Sequence, residues 1–336
     1  MSVSALALDP WGYEPHRFHR TERVWSETNC YVDLWIEILH ALGFDAITAS
    51  AFTLSTDFEG DQWTMFKFPL EDLRNLYGIE VVELNVWRPL SDHVVEQLGF
   101  GRLVTVDVDT WFLPDTRGVS YRTAHQKTTI AVETVDLDNR RLRYFHNAGY
   151  FELEGDDFDG IMCLGEYEPS PWALPPYVEV VRLDRLRKNL GDNAGDADNT
   201  GDAGLVDRVR LLAKEHLSRR PDTNPVSRFL DRLRSDLPWL ASHDLDTFHR
   251  YAFGTCRQCG ASAELAADFV DWLAAQEGCE IEASKHLRAI SDGAKTLQFA
   301  LARAVRGRNV DLDEVGAPME IAWERAMSSL VDRYGG

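Results

Sequence analysis

The stretch Asn29-Cys30-Tyr31-Val32-Asp33-Leu34-Trp35-Ile36-Glu37-Ile38-Leu39-His40-Ala41-Leu42-Gly43 decides how the rest of the chain is read. A polar residue that can cap a helix precedes Cys30. Apolar side chains then recur at Leu34, Trp35, Ile38, Leu39 and Leu42, which is helical spacing with one buried face, and Gly43 suits a left-handed C-cap. A thiol in the first turn of such a helix lies near the positive end of the helix dipole and unpaired N–H groups, and both favour the thiolate. The plain alternative is that Cys30 is a small packing residue.

Working outward, the residues before and after this helix predict an α+β region. Residues 1–28 are irregular and are expected to wrap over the first domain. Pro69 opens a short helix over 70–77, and 79–86 alternates as a strand. A second short helix covers 89–98, Leu103–Asp109 reads as a buried strand ending in a carboxylate, and 128–135 and 141–145 form a hairpin around Asp136-Leu137-Asp138-Asn139. A further strand is expected at 177–183. From Leu205 the apolar residues fall at helical spacing almost throughout: Val206, Val209, Leu212 and Ala213 in one stripe, Phe229, Leu230, Leu233 and Leu237 in the next. The expected organisation is therefore an α+β domain over 1–188, a flexible acidic Gly/Asp/Asn linker over 189–203, and a helical domain over 204–336.

The 336 residues carry a net charge of -20, which argues against nucleic acid or an anionic membrane surface as the main partner. Five scattered cysteines (Cys30, Cys163, Cys256, Cys259, Cys279) do not make a disulfide framework. With no secretion signal or bilayer-length apolar run read in the sequence, a cytoplasmic location is expected. Cys256-Arg257-Gln258-Cys259 lacks a second ligand pair for zinc and lies in a helical region, so both cysteines read as packing residues.

A thiolate nucleophile needs a base and a group that orients it. His125 stands just before the 128–135 strand and His146-Asn147 closes its hairpin partner, so pairing is expected to bring His125 beside one of them. The expected catalytic set is Cys30, His125 and either Asn147 or His146. The Cys30 N–H, with Asn29 or Thr28 beside it, is the expected source of oxyanion donors. Asp109 reads as a strand-ending carboxylate or a partner for an acceptor ammonium. Asp57-Phe58-Glu59-Gly60-Asp61-Gln62-Trp63 reads as a site loop, its three carboxylates able to hold a metal ion or a substrate ammonium. Between Leu205 and Arg234 eight Lys and Arg stand against four Asp and Glu, so Arg219 and Arg220 are candidate docking residues for an acidic partner.

The order of cysteine at a helix start, histidine at a strand start and an amide or imidazole on the next strand resembles papain-like cysteine enzymes. Asn29-Cys30-Tyr31, Val106-Asp-Val-Asp-Thr-Trp-Phe-Leu-Pro114 and His125 are similar to butirosin-biosynthesis-H-type acyltransferases, in which a papain-like domain precedes a helical region. Glu27-Thr-Asn-Cys30-Tyr-Val-Asp-Leu-Trp35, Phe58-Glu-Gly-Asp-Gln-Trp63 and Tyr144-Phe-His-Asn-Ala-Gly-Tyr-Phe-Glu-Leu-Glu-Gly155 more closely resemble a bacterial family of unassigned function often encoded beside amino acid:carrier-protein ligases. These resemblances imply a papain-like fold and transfer of an acyl or aminoacyl group from a carrier-protein phosphopantetheine thioester to a small amine. Cys30 would accept the acyl group, His125 would serve as base then acid, and Asn147 would orient His125. No resident cofactor is implied. A thioesterase or amidase using the same residues, and a non-catalytic carrier-binding protein, are the alternatives.

Overall fold

A computed structural model describes residues 2–65, 67–168, 174–187, 200–308 and 310–335. The chain forms two compact units that do not follow the sequence boundary. The first takes Met1–Phe18, Asn29–Phe44 and Leu70–Asn189; the second takes His19–Thr28, Asp45–Pro69 and Leu190–Gly336.

The first unit is an antiparallel sheet with helices on both faces. Its elements are β1 (Ser2–Ser4), α1 (Cys30–Ala41), α2 (Leu70–Tyr77), β2 (Glu80–Glu83), α3 (Leu90–Gly99), β3 (Leu103–Asp109), β4 (Lys127–Asp136), β5 (Arg141–His146), β6 (Gly149–Glu154), α4 (Asp156–Met162) and β7 (Val178–Arg182). Strand order is β2-β7-β3-β4-β5-β6, with β1 pairing the far end of β4. Alternation along the strands sorts the side chains. Val104, Val106, Val108, Ile130, Val132 and Tyr144 pack with Leu90 and Val94 of α3 and Phe158 and Ile161 of α4. Thr105 projects to the opposite face, where its hydroxyl donates to Glu179 at 3.1 Å. Tyr31 of α1 donates to the same carboxylate at 2.6 Å. The first turn of α1 therefore lies over β7 and β3, on the Thr105 face.

Buried carboxylates tie the N-terminal arm to this unit. Glu133, fully buried on β4, accepts from the Leu6 and Ala7 backbone N–H groups and from the hydroxyls of Ser4, Thr134 and Tyr150. Burial alone would raise its pKa, yet these donors hold it below the ordinary carboxylate value.

The second unit is helical, with α5 (Thr200–Ser218), α6 (Pro225–Ala241), α7 (Leu245–Ala252), α8 (Gln258–Gln276), α9 (Ala283–Ala304) and α10 (Leu312–Tyr334). The expected linker falls outside the described residues as far as 199, and α5 opens at Thr200. α9 packs between α8 and α10, and a 3-10 segment, Ala46–Ser55, packs against α5 and α8. That segment is apolar and buried almost throughout, which is why it belongs to a helical core and not to a surface loop.

The expectation that residues 1–28 cover the first domain holds only to Phe18. His19–Thr28 lies on the helical unit, where Glu264 accepts the N–H groups of Val24 at 3.1 Å and Trp25 at 3.0 Å. Trp25 lies so close over α8 that a Cβ on Gly260 would come within 2.3 Å of its ring. Cys256 and Cys259 are buried in this unit, and burial pushes the Cys256 thiol up to about 12.

Candidate active site

Asn29 caps α1: its side-chain oxygen accepts from the N–H groups of Tyr31 at 3.1 Å and Val32 at 3.0 Å. That oxygen is engaged in the cap. Cys30, half-buried at the first helical position, keeps a backbone N–H that no group takes up among the described residues. Thr28 is buried on the helical unit side of the chain.

β4 explains where His125 goes. Its pairing with β5 covers Ala131–Asp136, whereas Lys127–Val132 pairs with β3, Lys127 opposite Asp109. β4 outruns β5, and the partner of its first residues is the end of β3. His125 Nδ1 accordingly meets Asp109 Oδ2 at 2.5 Å. The expected orienting residues, Asn147 and His146, are both elsewhere. Asn147 occupies the left-handed region, φ 44°, in the two-residue turn between β5 and β6. His146 is 1% exposed, its Nδ1 on Asp115 Oδ2 at 2.5 Å and its Nε2 on the Thr128 hydroxyl at 2.9 Å. Tyr144 donates to the other Asp115 oxygen at 2.6 Å. With both ring nitrogens engaged in the core, His146 has no free position for proton transfer.

Asp109 does two jobs. Its Oδ1 accepts the Trp111 N–H at 3.0 Å and the Gln126 N–H at 3.3 Å, capping the short turn Thr110–Phe112. That turn places the Trp111 ring parallel to His125, centroids 4.5 Å apart. Phe112, in the same turn, lies against α4, where a Cβ on Gly160 would come within 2.2 Å of its ring. The imidazole is therefore held at Nδ1 and along one face, and its Nε2 makes no hydrogen bond among the described residues.

Asp109, His125 and Lys127 share an open cleft of about 410 Å³ with Gly160, Ile161 and Cys163. Cys30 is not part of its lining, and no hydrogen bond joins Cys30 to His125. Both nevertheless belong to the sheet unit, with Asp109 four residues along β3 from Thr105, roughly 13 Å at strand rise, on the face that carries the start of α1. Cys163, absent from the sequence-based candidates, adopts φ 56° at the C-cap of α4, and burial raises its pKa.

The acidic loop lies in the helical unit. Asp57 pairs with Arg228 of α6, Gln62 is exposed, and Trp63 is a core residue, packed between Phe58 and Phe229 at 5.5 and 5.6 Å. Among the described residues no cluster of three or more His, Cys, Asp or Glu could hold a metal ion. The basic stretch is largely neutralised within its own unit: Arg210 pairs with Glu277, Arg219 with Glu215, Arg232 with Asp236 and Arg234 with Asp313. Arg220 donates to the Leu217 carbonyl at 3.0 Å.

Two family models match, the DUF1839 N-terminal domain over residues 14–183 and the DUF1839 C-terminal domain over residues 202–332. The chain belongs to the DUF1839 family. No curated protein matches it. The Asp109–His125 cleft lies wholly within the DUF1839 N-terminal region, whereas the helical unit draws on both regions. Among the described residues no helix is long and apolar enough to cross a membrane.

Proposed function

We propose that the protein is a cysteine-dependent acyl or aminoacyl transferase in which His125, oriented by Asp109, is the proton carrier and Cys30 the acyl acceptor. The observation that supports this most is the Asp109–His125 pair at 2.5 Å, with Nε2 unengaged beside an open cleft. Asp109 thereby takes the orienting role expected of Asn147. The papain-like resemblance of the first unit is part of the same proposal.

In the first step His125 Nε2 takes the Cys30 proton and the thiolate attacks the carbonyl of a thioester. A new C–S bond forms, the old one breaks, and the leaving thiol takes the proton from His125. An amine then attacks the acyl-enzyme, a C–N bond forms, and the proton it loses passes through His125 to the departing Cys30 sulfur. The Cys30 N–H is the oxyanion donor this scheme uses. Catalytic hydrogen bonds often close only around bound substrate, so the scheme requires His125 and Cys30 to come together in that state. The donor would be a phosphopantetheine thioester on a carrier protein, docked through Arg219 and Arg220.

A second reading makes Cys163 the acceptor, favoured by its place in the His125 cleft. Its raised pKa weighs against it. One experiment separates the two: the full chain is incubated with the N-acetylcysteamine thioester of alanine, and the adduct is located by peptide mass spectrometry. An alanyl adduct on Cys30, absent in Cys30→Ala and slowed in His125→Ala, is the expected result. An adduct on Cys163 selects the second reading, and no adduct on either overturns both.

A further inference from the structure

The sheet ends at β2, which pairs with β7 on one side and with no strand on the other among the described residues. The Leu84 N–H donates to the Val178 carbonyl at 2.9 Å, so the register turns the backbone groups of Val82 towards β7 and those of Val81 and Glu83 outward. Those outward N–H and C=O groups make no backbone hydrogen bond among the described residues. Alternation then sorts the side chains. Val82 shares the α3 face with Val180, whereas Glu83 lies on the opposite face, across from Glu179.

On the α3 face this edge borders an open cleft of about 460 Å³, where Val82, Leu84 and Val180 meet Trp87 and the α3 residues His93 and Gln97. Trp87 is 72% exposed and stands perpendicular to the His93 ring, centroids 5.5 Å apart. His93 itself is 4% exposed, and its Nε2 accepts the Trp87 N–H at 3.3 Å. Burial and the nearby Arg88 hold its pKa below the ordinary value, so at pH 7 the ring is neutral and carries its proton on Nδ1. That Nδ1–H makes no hydrogen bond among the described residues, which leaves a buried donor for an incoming acceptor. The arginines of the cleft are already paired, Arg88 with Glu96, Arg102 with Asp184 and Arg182 with Glu80. Glu83 differs: it is exposed, stands opposite another carboxylate, and makes no ion pair among the described residues. Like charges directly across a strand pair are destabilising, so a cation beside Glu83 would be favoured, and the net charge of -20 favours a basic partner further.

We propose that the β2 edge docks an extended peptide segment of a partner protein as a further strand, with an apolar side chain against Val82 and Trp87, a basic one beside Glu83 and an acceptor oxygen on His93. The unpaired backbone supplies the affinity, and the two unlike faces of the strand select alternating side chains. The site stands without the acyl-transfer reading, since neither Cys30 nor His125 takes part. Fluorescence anisotropy on the full chain tests it with a labelled peptide in which Val and Thr alternate with Lys. Saturable micromolar binding is expected, about tenfold weaker or more when Glu replaces Lys. Methylating one alternate set of the peptide's backbone amides should abolish binding and methylating the other should not, because only one set faces β2. Glu83→Lys should reverse the preference in favour of the Glu peptide, and Val82→Gln should weaken the Lys peptide about tenfold. Both positions are exposed, and circular dichroism checks that the variants fold. The proposal is overturned by no saturable binding, by equal binding of the Lys and Glu peptides, by methylated sets that behave alike, or by an unchanged preference in folded Glu83→Lys or unchanged affinity in folded Val82→Gln. A dimer of the parent chain in light scattering that Val82→Gln dissolves would overturn it too, assigning the edge to a second copy.

Discussion

The sheet unit contains two imidazole–carboxylate pairs with the same 2.5 Å contact and opposite surroundings. In His125–Asp109 the imidazole side chain is 70% exposed and one nitrogen is unengaged; in His146–Asp115 it is 1% exposed and both are used. The contact distance does not distinguish a base from a strut. What distinguishes them is the second nitrogen. At His146 it bonds Thr128 within a core network that includes Asp115 and Tyr144, whereas at His125 it makes no hydrogen bond among the described residues and the residue lines a cleft. The exposed pair is held by a cap and a stacked indole, so it is oriented without being buried.

Removing an imidazole from one pair and a carboxylate from the other should have opposite effects on activity and stability. His125→Ala should slow acylation of the nucleophilic thiol by about 10²–10⁴-fold, the usual contribution of a general base, measured as adduct formation against time. The same variant should change unfolding stability by less than about 1 kcal/mol, because an exposed pair contributes little. Asp115→Ala reverses this pattern. It leaves His146 and the Tyr144 hydroxyl without their shared acceptor inside the core, and urea unfolding should show a loss of about 3–5 kcal/mol. Equal stability losses in the two variants would show that exposure does not separate the pairs.

The thiols sharpen the same contrast. Burial holds the Cys163 thiol above its ordinary value, so at neutral pH it stays protonated. Its alkylation by iodoacetamide should climb about tenfold per pH unit through and beyond the ordinary cysteine range near 8.5. Peptide mapping across pH 6–10 checks this, and fast labelling of Cys163 at pH 7 would contradict it. The smallest effect is expected at Asn147. Because its backbone is left-handed, Asn147→Ala should cost about 1 kcal/mol in unfolding and Asn147→Gly less than about half of that. Both should acylate at the parent rate, whereas a lowered rate would restore Asn147 to the site.

Much of the sheet unit could be read from local pattern. The α1 cap, the β3 boundaries and both hairpin strands follow from capping and alternation that act within a few residues. The site was only half legible because strand register is not local. Reading β4 as half of a hairpin led from His125 to Asn147; asking which strand pairs its first residues leads to Asp109, flanking the loop from the other side. Asp115 carried no signal, being one polar residue in a turn-rich loop. The charge of the acidic loop suggests a site, yet Trp63 and Phe58 pack in the core against Phe229 and Asp57 pairs with Arg228, contacts made with a helix far along the chain. The apolar run at Ala46–Ser55 lacks a period of either kind, and only its burial against α5 and α8 assigns it.

That interleaving has a consequence for biosynthesis. Ala46–Ser55 leaves the ribosome long before its partner α8, which begins at Gln258. At roughly 5–20 residues per second the wait is on the order of ten to forty seconds. Until α5 is made, at Thr200–Ser218, the segment has neither helical partner, and until α8 follows, the Trp25 strap lacks the surface it covers. A gene cut at the linker would therefore yield a helical half missing part of its own core.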